Sequence, residues 1–306
     1  MPIISNLAGI RQLFINNVYP IQEVYDKAHM EAEAPAHVEN SELTADWPEH
    51  GQVEFRNYSM RFTAKQDRAL ADVSLQIKSG ERIGVVGRTG AGKTSLSLGL
   101  FRVIEAESGS ILIDGVDIAQ VGLHDLRSRL GIVSQDPALF HGTLRFNLDP
   151  LQRHCDRELW EAVEAGGIVE MVECSRGRHD PERGCCLGRF VECGGRNFSA
   201  GQRQLICLCR LLVSRRQVIV LDEATANIDS ETDSLIRRVV QRDFRHSTVI
   251  TIAHRLESVL DSDRIVVMDN GRVVELGPPK ELASNHNGLF SQLLAAQKQR
   301  EKHQQQ

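Results

Sequence analysis

A chain of 306 residues, 41% hydrophobic and 25% charged, has the balance of a globular protein with enough length for one large core or two smaller ones. Its net charge of −5 lacks the basic excess that marks nucleic-acid binders, and no stretch reaches the roughly 18 apolar residues of a membrane-spanning helix. Seven cysteines, Cys174, Cys185, Cys186 and Cys193 among them near His179, match no paired C-x-x-C metal pattern; with no leader-like N-terminus, reduced thiols and no metal site at these cysteines are expected.

Ile3, Leu7, Ile10, Phe14, Asn17, Ile21 and Val24 follow a heptad-like 4–3 spacing that Pro20 interrupts, so residues 1–50 read as an amphipathic helical segment followed by an acidic, Ala- and Pro-rich linker. A single large domain is expected over 51–295. "QVEFRNYSMRF" and "ALADVSLQI" read as strands, "ERIGVVG" as a short buried strand, and a helix follows over about 92–101. "SILIDG", "LGIVSQ", "VIVLDE", "TVITIAH" and "RIVVMD" are further strands rich in Val and Ile. With helical stretches between several of them, they predict an α/β fold: a mainly parallel sheet core, an antiparallel β region near the N-terminus and a helical subdomain over about 143–213 where no buried strand is evident. "MDNGRVVE" is a hairpin signal through its Asn-Gly pair. The polar end, 296–306, is expected to be frayed.

Three stretches and two strand-end residues carry chemistry. "GRTGAGKT" at 87–94 fits G-x-x-x-x-G-K-[ST] between a strand and a helix. Gly87, Gly90 and Gly92 let backbone N–H groups wrap a polyphosphate, Lys93 reaches the β- and γ-phosphates, and the Thr94 hydroxyl is a Mg²⁺ ligand. Arg88, Thr89, Ala91 and Ser95 complete the expected nucleotide contact. "VIVLDE" ends a buried strand on two acids, Asp222 to hold the Mg²⁺ shell and Glu223 to act on the attacking water. Gln135 and His254 also close apolar strands, and their convergence on the edge that carries the phosphate loop marks them as site residues. "NFSAGQRQ" at 197–204 is a second anion site at a helix start: Ser199 caps the helix, Gly201 lets backbone approach a ligand, and Gln202 lies beside them.

Taken in order, Gly87–Thr94, Gln135, "FSAGQ", "VIVLDE", "ANID" at 226–229 and His254 resemble an ABC transporter ATPase cassette over roughly residues 50–295. "QDPALFHGTLRFNLDP", "GQRQLICLCR" and "DEATANIDSETD" are similar to subfamily C, the multidrug-resistance-associated and sulfonylurea-receptor group, and to its second, C-terminal cassette. The resemblance implies ATP and Mg²⁺ as cofactors, Glu223, His254, Lys93 and Gln135 as catalytic residues, and Thr94, Gln135 and Asp222 around the metal. It implies Asp229 as a bridge between cassettes and an aromatic residue on adenine, Phe62 with Tyr58 as second choice. It also implies two cassettes paired head to tail, each ATP lying between one phosphate loop and the other's Ser199-type helix. The partners are then a second cassette and transmembrane domains at the cytoplasmic face of a membrane, with no nucleic acid and no membrane span in this chain. The stretch over 1–50 resembles the exit from a last membrane helix, which would make the chain a fragment, a truncated product or a separate subunit.

The pattern departs from the family at Phe198, where leucine is usual, at Ala200, and in a longer loop around Cys185. The alternative within the family is a truncated or regulatory cassette that binds ATP with little independent hydrolysis. A DNA-repair or translation ATPase would need coiled-coil insertions or two cassettes in one chain, and a P-loop kinase leaves "FSAGQRQ" and "DEATANID" unexplained.

Overall fold

The computed structural model describes residues 24–25, 32–38, 43–44, 46–172, 187–222, 229–253 and 255–304. The chain divides into two compact units, Met1–Ala36 and His37–Gln306. In the first, the heptad stripe lies outside the described residues except for Val24, which is helical and exposed. The second unit contains the sheets and the helical region.

Strands β1 (Val53–Met60), β2 (Leu70–Ile77), β4 (Ser108–Ile113) and β5 (Val116–Asp117) form an antiparallel sheet in the order β2-β1-β4-β5. A six-stranded sheet runs β12-β11-β3-β10-β9-β6, from β3 (Arg82–Gly87), β6 (Leu130–Val133), β9 (Val218–Asp222), β10 (Thr248–Ile252), β11 (Arg264–Asp269) and β12 (Arg272–Gly277). Its strand pairs are parallel except β11–β12 at one edge. That hairpin turns through Asn270 and Gly271, both at positive φ, as an Asn-Gly pair requires.

The apolar runs of the central strands follow from burial on both faces. Side chains alternate along a strand. In β9, Val218 and Val220 therefore join a core with the antiparallel sheet and helix α1 (Lys93–Leu100). Ile219 and Leu221 point the other way, into a second core beneath the helical region. That region holds α3 (Leu144–Leu148), α4 (Asp156–Ala165), α5 (Val169–Val172), α6 (Ala200–Ser214) and α7 (Ser230–Asp243), α2 (Leu123–Arg127) having preceded β6. A third core packs Val86, Ile265 and Val267 against Leu256, Leu282 and Phe290, the last two from the C-terminal helices α8 (Pro279–Ser284) and α9 (Leu289–Gln304).

Two details differ from the expectation. The helical region is entered through a short antiparallel pair, β7 (Gly142–Thr143) with β8 (Phe190–Val191), too brief to show a period in sequence. Of the polar end, residues 296–304 are helical rather than frayed: α9 continues to Gln304, because Ala, Gln, Lys, Arg and Glu are strong helix formers. Among the described residues no helix is long and apolar enough to cross a membrane, and no group of His, Cys, Asp and Glu is arranged to hold a metal ion. Cys174, Cys185 and Cys186 lie outside the described residues; Cys155 and Cys193 are exposed thiols, Cys207 and Cys209 buried ones.

Candidate functional site

The phosphate loop leaves β3 at Gly87 and enters α1 at Lys93. Gly87, Gly90 and Gly92 all have positive φ. Two of them also have no room for a side chain: a Cβ on Gly87 would lie 2.3 Å from the Met268 carbonyl oxygen, and one on Gly92 would lie 2.7 Å from that of Ala69. Gly90 is required by conformation alone, since open space surrounds its Cβ direction. The Lys93 side chain is buried, and its ammonium donates to the Gly87 and Arg88 carbonyls at 3.0 and 3.2 Å, which holds the cation at the centre of the loop. Arg88, Thr89, Gly90 and Thr94 are exposed around it, while Ala91 and Ser95 are buried and anchor the turn.

Parallel register brings other site residues to the same edge. Asp222 ends β9 opposite Ile252 of β10, and Ile252 pairs with Val85 of β3, two residues before Gly87. Val133 of β6 pairs with Leu221, so Ser134 and Gln135 emerge beside Asp222. Asp222 is almost fully buried, whereas Gln135 is exposed. Glu223, residues 226–228 and His254 lie outside the described residues. Their chain neighbours Asp222 and Ala253 are at this edge, where Ala253 donates its N–H to the Val85 carbonyl.

The aromatic alternatives separate cleanly. Tyr58 is 2% exposed, its hydroxyl lies where a Cβ on Gly99 would meet it at 2.7 Å, and its ring packs edge-on to Phe55. Burial, and next the Glu105 carboxylate, push its phenol up to about 12. It is a core residue beneath α1 and has no face to offer. Phe62 is 49% exposed on the 61–69 connection, whose far end, Ala69, abuts Gly92 of the phosphate loop.

The "NFSAGQRQ" stretch begins α6 in the expected way. Ser199 Oγ accepts from Gln202 N at 3.2 Å, and Gln202 Oε1 accepts from Ser199 N at 2.9 Å, a reciprocal capping box. The departures are harmless to this geometry. Ala200 has no positive φ, so a side chain there is unstrained, and Phe198 is buried in the helical-region core with Arg189 stacked 4.9 Å from its ring centroid. Gly201 serves a need that its sequence neighbours do not reveal. A Cβ there would lie 2.9 Å from Cγ2 of Thr232, in the first turn of α7. It therefore also permits a close approach within its own chain. Thr232 is in turn fastened by Asp229, the N-cap of α7, which accepts from Thr232 N at 2.9 Å and Thr232 Oγ1 at 3.0 Å. These bonds, the backbone one foremost, hold the Asp229 carboxyl below its ordinary value.

Two buried polar residues lie inside quoted motifs but have no role assigned from sequence. Gln204, 4% exposed, donates from Nε2 to the Ser134 and Gln135 carbonyls at 3.2 and 3.1 Å, tying the helix of "FSAGQRQ" to the segment after β6. Asn147, fully buried, donates to the Phe140 and Thr143 carbonyls and accepts from Phe140 N and Arg210 Nη2, all within 3.0 Å. Arg210 also donates to the Ala138 and Asn147 carbonyls. The available signal was a glutamine and an arginine on an otherwise apolar helix face, since buried polar groups need partners.

The ABC transporter family model matches residues 70–226, just over half of the chain. The chain is 47% identical over 276 residues to rat ATP-binding cassette sub-family C member 2, covering 90% of this chain and 17% of that protein. It is 45% identical over 277 residues to human sub-family C member 3, with the same coverage, and 40% identical over 288 residues to ABC transporter C family member 9 of Arabidopsis thaliana, covering 94% and 19%. The chain thus spans about a sixth of the length of these relatives. Among solved structures, that of a bacterial Atm1-family ABC exporter with ATP bound superposes with a TM-score of 0.76 at 31% identity, over 94% of this chain and 48% of that one. Phosphate loop, capped α6 and parallel sheet edge agree with these similarities, and the chain belongs to the ABC transporter family as one of its ATP-binding cassettes.

Proposed function

We propose that this chain is the second, C-terminal cassette of a subfamily C transporter, that it hydrolyses ATP together with a second cassette, and that the resulting opening and closing moves transmembrane domains at the cytoplasmic face of a membrane. One observation carries the reading: parallel register collects the Lys93 loop, Asp222 and the Gln135 segment at one sheet edge, and a second helix, α6, starts at the Ser199–Gln202 capping box, which we read as the anion site for an opposing cassette.

Each residue has its share of the work. Backbone N–H groups of 88–94 and the Lys93 ammonium hold the triphosphate. Phe62 offers its face to adenine. Thr94, Asp222 and Gln135 supply hard oxygen donors that suit Mg²⁺, which neutralises phosphate charge when bound. Glu223 accepts a proton from, or orients, the attacking water, and His254 contacts the γ-phosphate. The start of α6, with Ser199, Gly201 and Gln202, faces the triphosphate of the opposing cassette, and Asp229 lies at the seam between the two. The exposed rings of Phe140 and Phe146, packed edge to face a few residues after Gln135, offer an apolar face to the membrane domains.

Substitution separates these roles. Glu223→Gln is expected to retain ATP and slow turnover by roughly 10²- to 10⁴-fold; wild-type turnover would refute the assignment. Lys93→Ala is expected to weaken ATP binding itself, and unchanged affinity would remove the phosphate-loop reading. Turnover per chain should rise with chain concentration, because each site needs a second chain. ATP binding with no turnover at any concentration favours the regulatory cassette instead.

A further inference from the structure

The 61–69 connection joins β1 to β2 and carries Phe62 near its start. Its neck is closed by the Ala69 N–H on the Met60 carbonyl at 2.9 Å. Beyond the neck, one carboxylate holds both flanks. Arg61, at the outgoing end, donates to Glu107 from Nε at 2.8 Å and from Nη2 at 2.5 Å. Arg68, at the returning end, donates to the same two oxygens from Nε and Nη2, both at 3.0 Å. Glu107 is itself anchored, since its N–H donates to the Ser59 carbonyl at 2.8 Å. Arg61 also donates to the Ala64 carbonyl across the loop.

A lone surface ion pair contributes little, but two bidentate guanidiniums on one carboxylate make a network of fixed geometry. The Arg61 bond first, and then the Arg68 bond, hold the Glu107 carboxyl at about 2. The charge is therefore present throughout the neutral range. Without it, two cations would face each other at the base of the loop and drive its flanks apart. The carboxylate's bonds run to the two flanks of the 61–69 connection, so the clamp acts on the aromatic side of the site.

We propose that Glu107 is a positioning residue for the nucleobase: by clamping Arg61 and Arg68 it holds the loop in the shape that presents the Phe62 ring beside the phosphate loop. The inference rests on the reading of Phe62 as the adenine-stacking residue. An ordered loop binds the base without first losing its own freedom, which is how preorganisation raises affinity. The ligand chemistry concerned is an aromatic base joined to a triphosphate, and the clamp contributes only to the base.

The test compares two ligands, ATP with Mg²⁺ and inorganic tripolyphosphate with Mg²⁺, by titration calorimetry on the full chain. Glu107→Gln keeps the size of the side chain and removes the charge. It is expected to weaken ATP roughly three- to tenfold and to leave tripolyphosphate unchanged, with amide exchange accelerated over 62–68. In a Phe62→Ala background, the same substitution should cause no further loss. Equal weakening of both ligands, or an unchanged ATP affinity in Glu107→Gln while Phe62→Ala weakens ATP, overturns the clamp and leaves the adenine reading intact. If Phe62→Ala itself leaves ATP affinity unchanged, the adenine reading falls and the clamp with it.

Discussion

Gly201 offers a quantitative test of how α6 and α7 are joined. An added Cβ would lie 2.9 Å from Thr232 Cγ2, 3.1 Å from Oγ1 and 3.3 Å from its Cβ. Thr232 cannot swing aside, because its hydroxyl and its N–H are both bonded to Asp229. Overpacking of this kind costs about 1–3 kcal/mol. Gly201 has no positive φ, so alanine also brings a helix-propensity gain of up to about 1 kcal/mol. With the clash near the middle of that range, the net expectation for Gly201→Ala is a loss of about 1–2 kcal/mol, seen in a chain of this length as a fall of about 2–3 °C in the melting temperature followed by circular dichroism. Thr232→Ser removes Cγ2 and keeps the hydroxyl on Asp229. The double variant Gly201→Ala/Thr232→Ser should therefore recover most of the loss. If Gly201→Ala melts with the parent protein, or if Thr232→Ser gives no recovery, the contact is not what requires glycine.

Two further outcomes concern buried groups. Asn147→Ala removes four hydrogen bonds and strands buried carbonyls and part of Arg210, so a loss of about 2–4 kcal/mol is expected in urea unfolding; a change below about 1 kcal/mol would contradict that network. The Tyr58 phenol, raised from 10.0 to about 12, is neutral in the fold where the unfolded chain already ionises. Its contribution to stability is present below pH 10 and is lost as pH rises from 10 towards 12, because the unfolded chain gives up its proton first and is favoured by doing so. The near-ultraviolet tyrosinate difference between the parent and Tyr58→Phe should appear near pH 12. Its appearance near 10 in folded protein would refute the burial argument.

Much of the site was legible because its chemistry constrains spacing. A loop that wraps phosphate with backbone N–H groups needs Gly87, Gly90 and Gly92 where they stand, and strands buried on both faces announce their ends when an acid or amide such as Asp222 or Gln135 appears. The illegible part depends on neighbours distant in sequence. Tyr58 and Phe62 are equally aromatic, but Tyr58 lies within β1 and packs under α1, whereas Phe62 falls beyond the strand's end on the exposed 61–69 connection. Gly201 reads only as a ligand-approach glycine, and its second demand, the close contact with Thr232, is set by a residue about thirty positions away. Gln204 reaches carbonyls some seventy residues earlier, a partnership set by the docking of α6 on β6. The polar end of α9 shows that propensity alone can extend a helix where periodicity is silent.

The strand order has a consequence for the growing polypeptide. β3, which carries the phosphate loop, lies between β10 and β11. Residues 82–87 therefore have no sheet neighbours until residues 248–269 have been synthesised. During translation the antiparallel sheet can assemble early, since β1, β2 and β4 are close in the chain. The strand beneath the nucleotide must wait for the last fifth of the described chain. Acquisition of nucleotide affinity on the ribosome would thus mark the closing event of folding rather than its beginning.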